Sequence, residues 1–276
     1  MHAHASPVVV ISARRGWAGL GLGELWGHRE LLYFLVWRDL KVRYKQTFFG
    51  AGWAILQPVL LMFVFTATVG RIAGIGVAGV PYPLFVLTGL IPWTLFSQSL
   101  TGAANSLVGG EAIITKVYFP RLLIPFAAVL SFVLDFVVSL VVLGIVALLY
   151  GVGPSPALLC VVPLTLMALV SSLGLGTFLA AVNVRYRDVK YVVPFLVQLL
   201  LFASPVVYSN ALIPTGWRTL YALNPMAGTI EGFRWAVLGG PRPDELMLVS
   251  GAMAVAILTG ALLYFRRVER GFADVI

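Results

Sequence analysis

Three groups of residues have types and spacings suited to chemistry. In ELLYFLVWRDLKVRYKQ (30–46), Arg38, Lys41 and Lys45 recur three and four apart, while Tyr33, Val36, Trp37, Leu40 and Tyr44 form an apolar stripe. That pattern predicts a basic amphipathic helix lying along the cytoplasmic membrane interface. Arg38, Arg43 and Lys45 are then candidates to receive an anionic lipid head group, and a simple anchor with a solvated charged face is the plainer alternative. The second group is a single residue, Asp135, the only charge between Leu122 and Val184. A carboxylate at that depth marks a functional or pairing site. With no other acid or His in the spans to extend a relay, a structural hydrogen bond or subunit contact is favoured over proton transfer. The third group is aromatic: Trp53, Phe63, Phe65, Trp93, Phe96, Phe132, Phe202 and Tyr208 lie in or beside apolar runs. Most should pack or sit in the lipid belt. A subset including Trp53, Phe63, Trp93, Phe132, Phe202 and Tyr208 is a candidate lining for a conduit that stacks on sugar rings.

Other chemistry is missing. The sequence has no G-x-x-x-x-G-K-[ST] phosphate loop, no H-E-x-x-H and no paired acidic motif. The glycines of SLGLGTF (172–178) have no preceding strand and no acidic partner, so they read as small residues for close helix packing. Cys160 is the single cysteine, which excludes an internal disulfide or a cysteine metal cluster. His2, His4 and His28 all precede the first long apolar run; weak metal binding by His2 and His4 is the alternative to a frayed tail, which is the expected state there. No catalytic, cofactor-binding or metal site is expected, and the chain is not read as an enzyme.

The elements that must position these residues can be read from composition. The 276 residues are 60% hydrophobic and only 11% charged, with a mean hydropathy of +0.96. Soluble domains carry about 25% charged residues, and disordered chains are poor in aromatics. The sequence is therefore an all-α integral membrane protein. No compact cleavable signal core follows Arg14 and Arg15, so a retained span is expected to direct insertion.

Charge-free stretches and glycine or proline breaks predict six spans of about 20 residues each. They run from Gln46 to Gly70, Pro83 to Ser106, two between Leu122 and Val184 divided by GVGPSP (151–156), Tyr191 to Ser209, and Leu246 to Phe265. With both termini inside, fifteen of the nineteen Lys and Arg residues fall on the cytoplasmic side, leaving Arg71, Arg218, Arg234 and Arg242 outside. This bias fixes the expected orientation, and it accounts for the net charge of +8 without any nucleic-acid partner. The apolar, Pro- and Gly-broken segment before the last span predicts two short helices, around 213–223 and 226–238, dipping into the outer leaflet, with a surface cap as the alternative. The expected layout is a cytoplasmic tail (1–29), the amphipathic helix (30–46), a six-span domain (47–266) and a cytoplasmic C-terminal tail (267–276).

Four stretches carry a resemblance. RDLKVRYKQTFFGAGWAILQPVL (38–60), ITKVYFPRLLIP (114–125), NVRYRDVKY (183–191) and LNPMAGTIEGFRWAVLG (223–239) together resemble the permease subunits of ABC-2 type polysaccharide exporters, among them O-antigen, teichoic acid and galactan exporters. The resemblance runs in order from about residue 25 onward. It implies a homodimer of permeases in the bacterial inner membrane with two copies of a cytoplasmic ABC ATPase, which would bind ATP and Mg. It makes residues 30–46 a gate helix beside the lipid inlet and about 108–119 a helix coupled to the ATPase, with Glu111 and Lys116 its exposed charges. The re-entrant helices at about 213–238 would shape the outer exit. The cargo it implies is a polysaccharide linked to undecaprenyl diphosphate, whose diphosphate Arg38, Arg43 and Lys45 would receive. An ABC-2 exporter of a drug or small lipid is the alternative. A membrane-embedded enzyme or a passive channel would need features that the sequence lacks or leaves untested.

Overall fold

The computed structural model describes residues 22–45, 50, 52–72, 79–114, 119–240 and 242–272. A short α1 (Leu22–Gly27) precedes α2 (Arg29–Tyr44), the expected amphipathic helix. α3 (Gly52–Phe65) continues as a π-helical turn to Ile72, where the Thr66 hydroxyl donates back to the Met62 carbonyl at 2.7 Å. α4 (Tyr82–Gly109) is followed by the single turn α5 (Glu111–Ile114). The third apolar segment is two collinear pieces, α6 (Leu123–Leu130) and α7 (Val133–Leu149). At the junction the Ser131 hydroxyl bonds the Ala128 carbonyl at 2.8 Å, competing locally with the helix ladder. α8 (Val161–Arg185), α9 (Val189–Phe202), α10 (Arg218–Ala222), α11 (Pro225–Leu238) and α12 (Leu246–Val268) complete the order.

Among the described residues, five helical stretches are long and apolar enough to cross a membrane: Gly52–Ile72, Tyr82–Gly109, Leu123–Leu149, Pro156–Arg185 and Leu246–Val268. The architecture is an all-α, multi-pass membrane bundle. Burial ranks these stretches sharply. The apolar window of α4 is 78% buried and the other four are 17% to 28% buried, so α4 is the central helix and the rest lie around it with most of their surface outside the bundle. One apolar cluster ties the end of α4 (Leu107) to the start of α6 (Leu123), the end of α8 (Val184) and the end of α12 (Phe265), together with Leu35 of α2. A second ties the start of α4 (Leu84) to the end of α7 (Ala147), the start of α8 (Leu164) and α11 (Phe233). The bundle therefore has two distinct ends, and α4, α8 and α12 all finish at the same one.

The expected fifth span, Tyr191–Ser209, is shorter as a helix. α9 stops at Phe202 after 14 residues, about 21 Å of rise, and Ala203–Tyr208 continue in turns and bends. Pro205 explains the stop, because it removes a backbone donor and biases Ser204 away from helical geometry. Ser204 and Val206 are nonetheless fully buried, so the turn segment lies inside the bundle. Eleven residues of α11 are buried, against α4, α8 and α12. Asn224 starts it by accepting from the Met226 N–H at 3.0 Å, Pro225 fits the first position, and Gly239 at φ 72° ends it.

Glycine sets how closely the long helices approach. A Cβ on Gly176 would lie 2.6 Å from the Ala103 Cβ, and one on Gly174 would lie 2.8 Å from the Leu258 backbone nitrogen. The α4–α8 and α8–α12 contacts are thus small-residue contacts of the membrane type. Gly174→Val is expected to push α8 from α12 and cost about 1–3 kcal/mol. The thermal midpoint of the purified protein in detergent reads this, and an unchanged midpoint would reject the close contact.

Candidate functional site

The break between α6 and α7 gathers the polar residues of the apolar interior. Arg43, near the end of α2, donates from Nη1 to the Asp135 carboxylate at 2.9 Å and to the Ser131 carbonyl at 3.2 Å, and from Nη2 to the Ser131 hydroxyl at 2.6 Å. Its guanidinium lies over the Phe132 ring at 3.6 Å, a cation–π contact. Asp135 is 9% exposed. Ser139, one turn on, binds the Asp135 and Ala54 carbonyls and so ties α7 to α3.

An open cavity of about 510 Å³ begins at this pair. Arg43, Asp135 and Phe132 form one wall, and Trp53 and Gln57 of α3 another. α4 contributes a polar stripe to it, Ser97, Gln98, Thr101 and Asn105. The Gln98 side-chain amide donates to that of Gln57 at 3.1 Å across the cavity, and Asn183 of α8 braces Asn105 from behind at 3.3 Å. The Ser97 and Thr101 hydroxyls and the Asn105 amide donate to carbonyls of α4 itself, at 3.2, 2.8 and 2.9 Å. The stripe was readable in the sequence as SQSLTGAANS (97–106), where polar side chains fall on one helical face.

A second polar cluster closes the opposite end. Arg234 of α11, 9% exposed, donates to the Val206 carbonyl at 2.6 Å and the Tyr208 carbonyl at 3.2 Å, and lies over the Phe85 ring at 3.6 Å. The Tyr82 hydroxyl donates to the Val207 carbonyl at 2.8 Å, and the Asn224 amide to the Ala203 carbonyl at 3.0 Å. Together they satisfy the carbonyls that the broken end of α9 leaves without helix partners, as a buried backbone requires. Gly89 admits this arrangement, since a Cβ there would meet the Val206 carbonyl at 2.7 Å and Arg234 Nη2 at 2.9 Å. The Tyr208 and Tyr221 hydroxyls pair at 2.9 Å, and Asn210 donates to Glu231. Burial, reinforced by the Tyr208 hydroxyl, pushes the Tyr221 phenol up.

The residues singled out from sequence fall in different places. Arg38 pairs with its neighbour Asp39 at 2.7 Å, and Lys45 is exposed at the end of α2. At 3.6 residues per turn these two share a face, and Arg43 points about 140° away from Arg38. Trp53 and Phe132 line the cavity. Trp93 is buried against Phe96, with ring centres 5.4 Å apart, whereas Phe63 and Phe202 are exposed on the bundle surface. Tyr208 belongs to the second cluster. Glu111 opens α5 and is exposed, and Lys116 lies outside the described residues.

Comparison with known proteins places this arrangement. The O-antigen export system permease protein RfbA of Myxococcus xanthus is 32% identical over 92% of this chain and 98% of its own length. A permease of the same name from Klebsiella pneumoniae is 27% identical over 90% of this chain and 95% of its own length. The polysialic acid transport protein KpsM of Escherichia coli is 24% identical over 84% of this chain and 91% of its own. The family model described as ABC-2 type transporter matches residues 30–238, from the start of α2 to the end of α11. The chain belongs to the ABC-2 type transporter family.

Proposed function

We propose that this chain is the permease subunit of an ATP-driven exporter that carries a polysaccharide, O-antigen-like or a related envelope glycan, across the bacterial inner membrane on a polyprenyl diphosphate carrier. The observation that carries the reading is the cavity between α3, α4 and α7, whose largely apolar wall carries a stripe of hydroxyl and amide groups that a hydrated chain could use. The names of the related export and transport permeases agree with it.

In this reading α9 and the turn segment after it form the fifth of six passes. The segment runs from beside Ala104 to beside Gly89 of α4, and the positive charge bias then puts both termini in the cytoplasm. α10 and α11 are the re-entrant pair that shapes the outer exit. Two permeases enclose the path, and two copies of a cytoplasmic ATPase bind ATP and Mg. They act on the segment 108–119 through Glu111 and Lys116. α2 flanks the inlet, with Arg38 and Lys45 on its outer face to attract the diphosphate and Arg43 turned inward. Trp53 and Phe132 supply stacking surface in the cavity.

Depleting the protein tests the cargo. Radiolabelled lipid-linked glycan is expected to build up on the cytoplasmic face of the inner membrane, and re-expression with the neighbouring ATPase should clear it. Normal surface glycan after depletion would replace this reading with export of a drug or small lipid. Within the same assay, Arg38→Gln with Lys45→Gln should cut export about fivefold to tenfold with protein level unchanged, because exposed charges act on recruitment. Export at the normal rate would remove the two residues from the inlet.

A further inference from the structure

The pairing of Arg43 with Asp135 has the properties of an occupied anion site. The guanidinium has five N–H donors. Three bonds reach Ser131 and Asp135, and the Nε–H and one Nη2 hydrogen make no bond among the described residues. The Arg43 side chain is 27% exposed and lines the cavity. Its partner is poorly served: Asp135 Oδ2 takes the bond from Arg43, while Oδ1 is buried and accepts none among the described residues. A buried carboxylate oxygen with no donor is costly, so this pair is not a well-finished structural bridge.

The pair also restrains α2 mechanically. Leu35, in the first half of that helix, is the residue that packs fully into the bundle. Lys41, Val42 and Lys45 of the second half are exposed, and the bonds from Arg43 hold that half against the α6–α7 break.

We propose that Asp135 is a resident substitute for phosphate, and that a phosphoryl group arriving in the cavity displaces it from Arg43 and frees the second half of α2. The exchange rests on the reading that the cargo carries a diphosphate, and it says how that cargo is distinguished. A diphosphate offers a guanidinium two parallel acceptors and about two negative charges against the one of a carboxylate, so it takes up the two unspent donors and outcompetes Asp135. An uncharged glycan entering without its carrier cannot do so and leaves the latch closed. Asp135 therefore sets a threshold: anions weaker than a diphosphate do not open the inlet. Once released, the carboxylate faces the cavity and can be hydrated there.

Two measurements on the full chain in phosphatidylcholine nanodiscs test the exchange. In the first, inorganic pyrophosphate is titrated calorimetrically. Asp135→Asn, which keeps the shape and removes the competing charge, is expected to bind about tenfold more tightly than the unaltered chain, and Arg43→Gln is expected to lose binding. Equal affinity in the unaltered chain and Asp135→Asn, or retained binding in Arg43→Gln, overturns the proposal. The second needs no change at either residue. Spin labels are placed at Val42→Cys on α2 and Val137→Cys on α7 in a Cys160→Ser background, with labelled subunits diluted among unlabelled ones. Undecaprenyl diphosphate in the disc is expected to lengthen the distance between the labels, whereas phosphatidylglycerol at equal charge should leave it unchanged. Lengthening by both lipids overturns the threshold assigned to Asp135, because a single phosphodiester would then open the latch as a diphosphate does. Movement with neither lipid overturns the exchange itself, and the glycan reading then stands or falls separately on the depletion experiment.

Discussion

Arg234→Ala is expected to destabilise the purified protein by about 3–7 kcal/mol and to abolish export. Two carbonyls, those of Val206 and Tyr208, would lose their donor, and each unsatisfied buried acceptor costs about 1–3 kcal/mol. Loss of the cation–π contact with Phe85 adds about 1 kcal/mol. Arg234→Lys should recover only part of this, because one ammonium cannot reproduce a planar fork that serves two carbonyls 26 and 28 positions away in sequence. Gly89→Ala tests the same arrangement from α4, since its Cβ would strike both the Val206 carbonyl and the guanidinium. It should lower the thermal midpoint in the same direction. The check is thermal unfolding in detergent beside the glycan assay. A stable Arg234→Ala protein would show that the turn segment after α9 finds other donors, and Arg234 would be no more than a surface charge.

This arginine also shows where sequence reading runs out. The long apolar helices were legible because a charge in hydrocarbon is expensive, so charge-free stretches mark them directly. The break in α9 was legible in part: Pro205 disfavours a straight continuation to Ser209, although α9 runs through Pro194 and α4 through Pro92. The donors that the broken end requires were not legible. Four sparse outer arginines read alike in the sequence, and only the folded chain shows that Arg234 sits where the freed carbonyls need a donor. The cavity pair has the same character. Asp135 stands out as a lone intramembrane acid, but its partner lies 92 positions earlier in a segment where every cation looks suited to the interface. Helical phase separates Arg43 from Arg38 and Lys45, yet phase alone does not say which face meets the α6–α7 break. The stripe from Ser97 to Asn105 was there to be read, since four polar side chains on one side of a span need partners.

Gln57→Leu combined with Gln98→Leu is expected to leave the fold nearly unchanged and to lower export at least tenfold. The two amides bond each other across the cavity at 3.1 Å. Removing both partners strands neither, so the change in stability should be within about 1 kcal/mol. For a hydrated glycan the effect differs. A passage that replaces water around the sugars must offer comparable hydrogen bonds at each step, and a dry leucine pair would interrupt the stripe between Ser97 and Asn105. A loss of about 1.4 kcal/mol at that step is a tenfold slower passage. The single substitution Gln98→Leu should be milder in transport, because Gln57 can turn to the cavity and hydrate. An apolar small-molecule cargo would respond in the opposite sense, since a drier wall would favour it. Export measured beside the thermal midpoint separates these cases. Unimpaired glycan export through a leucine-lined wall would show that the glycan takes another path and that this cavity serves only the Arg43–Asp135 pair.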